Sequence, residues 1–202
     1  MTPETLAVCT GSTLANARIY VEPLTFGMDR FKISASPLRM ACFLGTVAIE
    51  SSRLRRVEED LYYTTPDRLR EIFPSLFGPK GQYKAENYLR DPVQLSLLRY
   101  RGYHGRGLIQ LTWLDAYKAA SAALGADYVT HPQLVEQPEH AALTACWFFA
   151  VYKSCLPDAD AGDMYTITGK VQGPARLQLA ERKAQMGIAL NSLGGSVQGV
   201  RS

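Results

Sequence analysis

The stretch IESSRLRRVEEDLYY, residues 49–63, gathers the groups best suited to acid–base chemistry: Glu50, Glu58, Glu59 and Asp60. Two carboxyls flanking a glycosidic bond can hydrolyse it with inversion, one protonating the leaving oxygen and the other activating a water. Glu50 falls three residues after Val47 and seven after Phe43, on the apolar stripe formed by Met40, Phe43, Leu44 and Val47. A carboxyl held there loses water, which disfavours the charged form and suits a general acid. The plainer reading makes Glu50 a surface acid paired with Arg53. Glu59 comes nine residues after Glu50. On one straight helix the two would stand ~13.5 Å apart along the axis and on opposite faces. Inverting chemistry requires about 6.5–9.5 Å. The helix must therefore end near Ser51-Ser52, and residues 56–63 must return as an extended segment with Glu58 and Glu59 pointing to opposite sides.

A second informative stretch is RGYHGRGLIQLT, residues 101–112. Its GxxGxG spacing fits neither a Walker loop nor a dinucleotide fingerprint. Glycines at these positions let backbone approach a ligand. Tyr103 offers a flat apolar face, and Gln110 and Thr112 offer hydrogen bonds, a combination that suits a sugar ring. A tight turn packed on a core helix explains the same residues.

Other chemistries find little support. His104, His131 and His140 show no HExxH or other metal-ligand spacing, so neither a metal nor another cofactor is expected. No GxSxG elbow appears. Cys146, inside TACWFF, reads as a buried core thiol. The four cysteines have no CxxC pairing, so reduced thiols are expected rather than a disulfide framework.

The elements that must position these groups are mostly helical. Helix starts are expected at Thr2-Pro3-Glu4 and at Ser36-Pro37, the second running to Glu50. Further helices are expected over 66–73, 108–124, 138–152 and 175–190, with turn chemistry at 77–82 and a frayed tail after 193. The run AALTACWFFAVY is apolar nearly all round and marks a buried central helix. With 202 residues, 47% hydrophobic and 20% charged, one globular domain is expected. A net charge of +3 is too small to argue for nucleic acid, though it suits approach to a polyanionic polymer. The first residues lack a signal-peptide pattern and no stretch is long enough to span a membrane, so a cytosolic product without stable membrane association is expected.

Taken together these segments resemble glycoside hydrolase family 19, the chitinase-like group that includes many bacteriophage endolysins. AIESSRLRRVEEDLYYT is similar to that family's helix-end motif, and HGRGLIQLT to its Arg-Gly-Arg-Gly-Leu-Ile-Gln-Leu-Thr signature. HPQLVEQPEHAALTACWFF and ADAGDMYTITGKVQG resemble its later segments, so the likeness covers about residues 3–190. The resemblance implies a mainly α, lysozyme-like, two-lobed domain with a small β element beside the cleft. It implies Glu50 as general acid, Glu59 as general base and Thr112 as holder of the water, with Tyr103, Arg106, Gln110 and Gln172 shaping the cleft. Departures from the family pattern are Ile49 for histidine, Ser52-Arg53 for Gly-Gly, Ala116 for asparagine, and Gln172-Gly173-Pro174 for Asn-Gly-Gly. The expected partner is the glycan strand of peptidoglycan, cut by a monomeric endolysin that reaches the periplasm once the membrane is permeabilised. Chitin is the competing substrate, and a non-catalytic glycan-binding relative or a structural virion component is the competing class.

Overall fold

In the computed structural model, which describes residues 1–195, helices begin where the chain supplies caps. Thr2 accepts from the Thr5 amide to start α1 (Pro3–Thr10), and Thr13 caps α2 (Leu14–Arg30) through Asn16. Ser36 caps α3 (Pro37–Glu50) through Arg39, with Pro37 preset for the first turn. The short α4 (Pro66–Ile72) and α5 (Pro74–Phe77) follow, then α6 (Pro92–Tyr100), capped by Asp91. The second half holds α7 (Leu114–Leu124), α8 (Pro138–Trp147), α9 (Leu156–Asp160), α10 (Met164–Gln172) and α11 (Leu179–Ser192). A π-helical turn, Phe148–Tyr152, extends α8.

Two hydrophobic cores organise these elements. The larger joins α1, α2, α3, α7, α8, α10 and α11, with Phe43 set edge-on to Phe149 at 5.3 Å. The smaller gathers Leu61, Leu69, Phe73, Phe77, Ala85, Leu95 and Tyr100. A groove opens between these two lobes. The fold is thus mainly α, and among the described residues its β element consists of isolated bridges, Glu58 to Arg106 and Arg106 to Leu111. That matches the expected lysozyme-like architecture.

α3 crosses α11 at Gly45, where an added Cβ would stand 2.9 Å from the Met186 backbone nitrogen and 3.2 Å from the Arg182 carbonyl. Absence of a side chain here lets the two helices touch. A similar close approach joins α2 to α8, since a Cβ on Gly27 would meet Cys146 Sγ at 2.8 Å.

Several expected boundaries need correction. The helix expected over 108–124 begins only at Leu114, because Gly107, Gln110 and Trp113 all take positive φ and fold 106–113 into a hairpin. The last long helix begins at Leu179 rather than 175, after Arg176 and Gln178 in left-handed conformations. α2 was not anticipated: Pro23 lies inside it, yet buried Ala17, Tyr20, Val21, Leu24 and Met28 hold it against the core. α6, α9 and α10 were likewise not anticipated. The expected frayed tail lies outside the described residues beyond Gly195. All four cysteines are buried and unpaired. Burial pushes the Cys42 and Cys155 thiols up to about 12, and raises Cys146 well above its ordinary value. Among the described residues no helix is long and apolar enough to cross a membrane, and no group of three His, Cys, Asp or Glu side chains could hold a metal ion.

Candidate active site

Glu50 is the last residue of α3, and the chain turns sharply after it without glycine. Ser52, Arg53 and Leu54 have φ of 50°, 63° and 59°, a left-handed turn that costs roughly 1–2 kcal/mol per non-glycine residue. Buried Ser51 stabilises it. Its hydroxyl donates to the Val47 carbonyl at 2.7 Å and accepts from the Leu54 amide at 2.9 Å. The Arg55 and Arg56 amides both donate to the Ser51 carbonyl. The break required between the two acids is therefore present.

The Glu50 carboxylate is 14% exposed and accepts from Arg182 Nη2 at 2.6 Å. Arg182, on α11, is fully buried, and its Nη1 has no hydrogen-bond partner among the described residues. The partner of Glu50 is thus an arginine 132 residues away rather than Arg53. Burying a guanidinium beside a carboxylate is costly unless the pair is well formed. Here it fixes the acid in one orientation at the mouth of the groove.

Glu59 follows the bend on the extended return segment. Its amide donates to the Gly105 carbonyl at 2.8 Å, and its carboxylate accepts from Tyr100 Oη at 2.7 Å and the Gly105 amide at 3.1 Å. Burial, then the hydrogen bond to Glu59, pushes the Tyr100 phenol well up, so it stays a donor. Glu58 turns the other way, against His104 Nε2 at 2.9 Å, while His104 Nδ1 meets Ser96 Oγ at 2.6 Å. The two adjacent acids therefore have different hydrogen-bond partners, as alternation along an extended strand favours.

A groove of about 470 Å³ is lined by Glu50, Gln110, Thr112 and Gln172 together with Arg99, Tyr100, Trp113, Ala116, Phe148, Tyr152 and Lys153. Glu59 does not line this groove: it is tied to it through the Tyr100 phenol and lines a separate hollow of about 250 Å³ with Glu58, His104 and Arg106. Gly105 links the pieces: a Cβ there would meet Gln110 Oε1 at 2.9 Å and Thr112 Oγ1 at 3.4 Å. The same residue that donates its amide to Glu59 thus abuts the Thr112 hydroxyl, itself donating to the Gln110 carbonyl at 2.8 Å.

Of the residues singled out in the sequence, the structure brings Glu50, Gln110, Thr112 and Gln172 into one groove. Glu59 lines the neighbouring hollow, with the Tyr100 ring bonded to it lining the groove. Two others brace the fold instead. Tyr103 packs edge-on against Tyr117 and donates to the Val129 carbonyl at 3.1 Å. Arg106 is buried, donating to Glu136 at 2.8 Å, to the Gly102 carbonyl and to Tyr117. Both brace the hairpin. Gly107 does so too, since at φ 74° a Cβ would stand 2.9 Å from Val135 Cγ1. Ala116, where the family pattern has asparagine, still lines the groove.

Sequence reasoning missed Arg182, Tyr100 and Trp113. Trp113 is 45% exposed and sits at φ 75°, ψ 142°. A tryptophan there carries strain of order 1–3 kcal/mol, which persists where surroundings over-determine it and clusters at functional sites. Its place directly after Gln110-Leu111-Thr112 was the available signal. The π-helical turn that brings Phe148 and Tyr152 to the groove had none.

The two lobes, the helix-end acid and the hairpin-held acid define a protein of the helical, lysozyme-like class with an open groove of about 470 Å³. The profile of glycoside hydrolase family 19, described as chitinase class I, matches residues 77–201, and the chain belongs to that family. The matched segment includes Thr112 and Gln172 and begins after both acids, whose placement rests on the geometry above. Chitinase 10 of Oryza sativa subsp. japonica is 32% identical over 100 residues, 48% of this chain and 33% of that protein. The acidic endochitinase of Petunia hybrida is 27% identical over 156 residues, 76% of this chain and 57% of that protein. The chain spans about a third of the length of the first curated relatives it matches, 33%, 35% and 37%. Chitinase C from Streptomyces griseus HUT6037 superposes with a TM-score of 0.61 at 22% identity, over 96% of this chain and 77% of that one. A bacterial family 19 chitinase gives 0.61 at 19% identity, over 96% and 95%. At these identities the two structures speak for the fold.

Proposed function

We propose that the chain hydrolyses glycosidic bonds in polymers of N-acetylated amino sugars by a two-carboxylate inverting mechanism, with the peptidoglycan backbone as its substrate. The observation that carries this reading is the pair of acids held in unlike ways on either side of a sharp bend. Glu50 ends α3 beside Arg182, and Glu59 is fixed by the Tyr100 phenol and the Gly105 amide. In the proposed step protonated Glu50 gives its proton to the leaving glycosidic oxygen as the bond from that oxygen to the anomeric carbon breaks. A water positioned by Thr112 forms the new bond from the opposite face while Glu59 takes its proton. Gln110 and Gln172 hydrogen-bond the sugar rings. Solvent then returns both acids to their starting states.

Chitin is the second reading, favoured by the names of the relatives, which are chitinases. Product analysis separates the readings. Digestion of purified peptidoglycan that releases new reducing ends supports the first. Release of reducing ends from chitin alone supports the second, and new amino groups without reducing ends would contradict both. A monomeric endolysin acting from the periplasmic side during host lysis is the biological role that fits the first reading. A non-catalytic glycan binder would bind either polymer and release nothing.

A further inference from the structure

The groove holds two cations that the proposed hydrolysis does not use. Arg99, on α6, belongs to the small lobe, and Lys153, just past the π-helical turn, belongs to the large one. Each lies over a pair of rings. The Arg99 guanidinium carbon is 4.7 Å from the Trp113 centroid and 5.3 Å from that of Tyr100. Lys153 Nζ is 5.3 Å from Phe148 and 5.6 Å from Tyr152. Ring faces attract a cation and hold it in place without neutralising it.

Neither cation has a carboxylate partner among the described residues. The one carboxylate lining this groove among the described residues, Glu50, is already paired with Arg182. Beyond Trp113 the groove continues as a hollow of about 480 Å³ that adds Arg101 and Asp115 to Arg99. Arg101 too makes no ion pair among the described residues, and it takes φ 54° to end α6. Asp115 offsets one charge in that hollow, while Glu59, held by neutral donors, lines neither stretch. The groove therefore presents oriented positive charge on both walls, which a neutral sugar polymer cannot use and an anionic one can.

We propose that Arg99 and Lys153 are carboxylate-binding subsites on opposite walls of the groove. The chemistry they recognise is a glycan with a carboxylate ether on alternate amino sugars. This rests on the glycan-groove reading above and sharpens its substrate class. A charge-assisted bond from each cation orients the chain so that the bond beside the acid-bearing sugar lies at Glu50.

Isothermal titration of Glu50→Gln protein tests this without turnover. The probes are a tetrasaccharide of alternating N-acetylglucosamine and N-acetylmuramic acid, its carboxamide counterpart, and the neutral N-acetylglucosamine tetramer. The acid is expected to bind at least ~10-fold more tightly than the carboxamide, about 1.4 kcal/mol. That preference should shrink with added salt. Adding Lys153→Gln should reduce it, and adding Arg99→Gln as well should remove it, with far-ultraviolet circular dichroism confirming that both variants fold. Equal binding of acid and carboxamide, a preference that survives the double substitution, or no binding of any probe would overturn the proposal. Peptidoglycan digestion by the unaltered protein is read separately. Preference without cleavage refutes hydrolysis and keeps the subsites, whereas cleavage without preference refutes the subsites and keeps hydrolysis.

Discussion

Gly45→Ala should show how closely activity depends on the contact between α3 and α11. The added methyl would stand 2.9 Å from the Met186 nitrogen, 3.1 Å from its Cα and 3.2 Å from the Arg182 carbonyl. All three are backbone atoms, so no side chain can swing aside. Overpacking of this kind costs about 1–3 kcal/mol. Against it, alanine gains about 1 kcal/mol over glycine in a helix. Gly187, on α11, supplies the control, because a Cβ there meets nothing within 4 Å. Gly187→Ala receives the helix gain alone. The two variants should therefore differ by the steric cost, and at about 2–4 °C per kcal/mol for a chain of this size Gly45→Ala should melt roughly 2–12 °C below Gly187→Ala. Because Arg182 is displaced along with its helix, the 2.6 Å contact to Glu50 should loosen, and glycan cleavage should fall in Gly45→Ala while holding in Gly187→Ala. Thermal unfolding by circular dichroism and a reducing-sugar assay read both quantities. Equal melting temperatures for the two variants would refute the packing argument, and full activity in Gly45→Ala would refute the coupling to Glu50.

Four further outcomes follow from the same geometry. Glu50→Gln should lower turnover by about 10²–10⁴ with glycan binding retained, as measured by titration beside the activity assay. Tyr100→Phe removes the 2.7 Å donor to Glu59 and should lower kcat more than it changes KM, with a stability loss of about 0.5–1.5 kcal/mol in urea unfolding. Asp163 caps α10, and the Thr166 hydroxyl, then its amide, hold the carboxyl below the ordinary carboxylate range. Its contribution is therefore complete at neutral pH and is lost as pH falls from about 4 through that lowered value. Unfolding of the native protein and of Asp163→Ala, compared across pH 2–7, should show a difference of about 1 kcal/mol that closes at the acid end. Finally, the cysteines should resist alkylation in the native state and react fully once unfolded, counted by mass spectrometry, because Cys9, Cys42, Cys146 and Cys155 are all buried.

What could be read from the sequence was what local chemistry determines. Ser36-Pro37 starts α3, and the apolar stripe carries through to Glu50. The nine-residue spacing from Glu50 to Glu59 demanded a break, and the left-handed run Ser52–Leu54 supplies it. The apolar run after Pro138 is buried as its composition indicates. Long-range pairings were not legible. Nothing near Arg182 announces a partner 132 residues earlier, and nothing near Tyr100 announces Glu59. Propensity also misled at Leu108–Trp113, where residues compatible with a helix are drawn into a hairpin by Gly107 fitting against Val135 and by the Arg106–Leu111 backbone pair. The opposite occurred in α2, where tertiary burial holds a helix despite Pro23. Tyr103 and Arg106 have the residue types of a binding site, but their donors are consumed within the protein.

The anomeric form of the first product tests the central claim most directly. Proton nuclear magnetic resonance of a peptidoglycan digest, recorded before mutarotation, should show the anomer opposite to that of the bond cleaved, and Glu59→Gln should abolish the signal. Retention of configuration, or undiminished cleavage by Glu59→Gln, would contradict an acid and a base acting from opposite faces of the sugar.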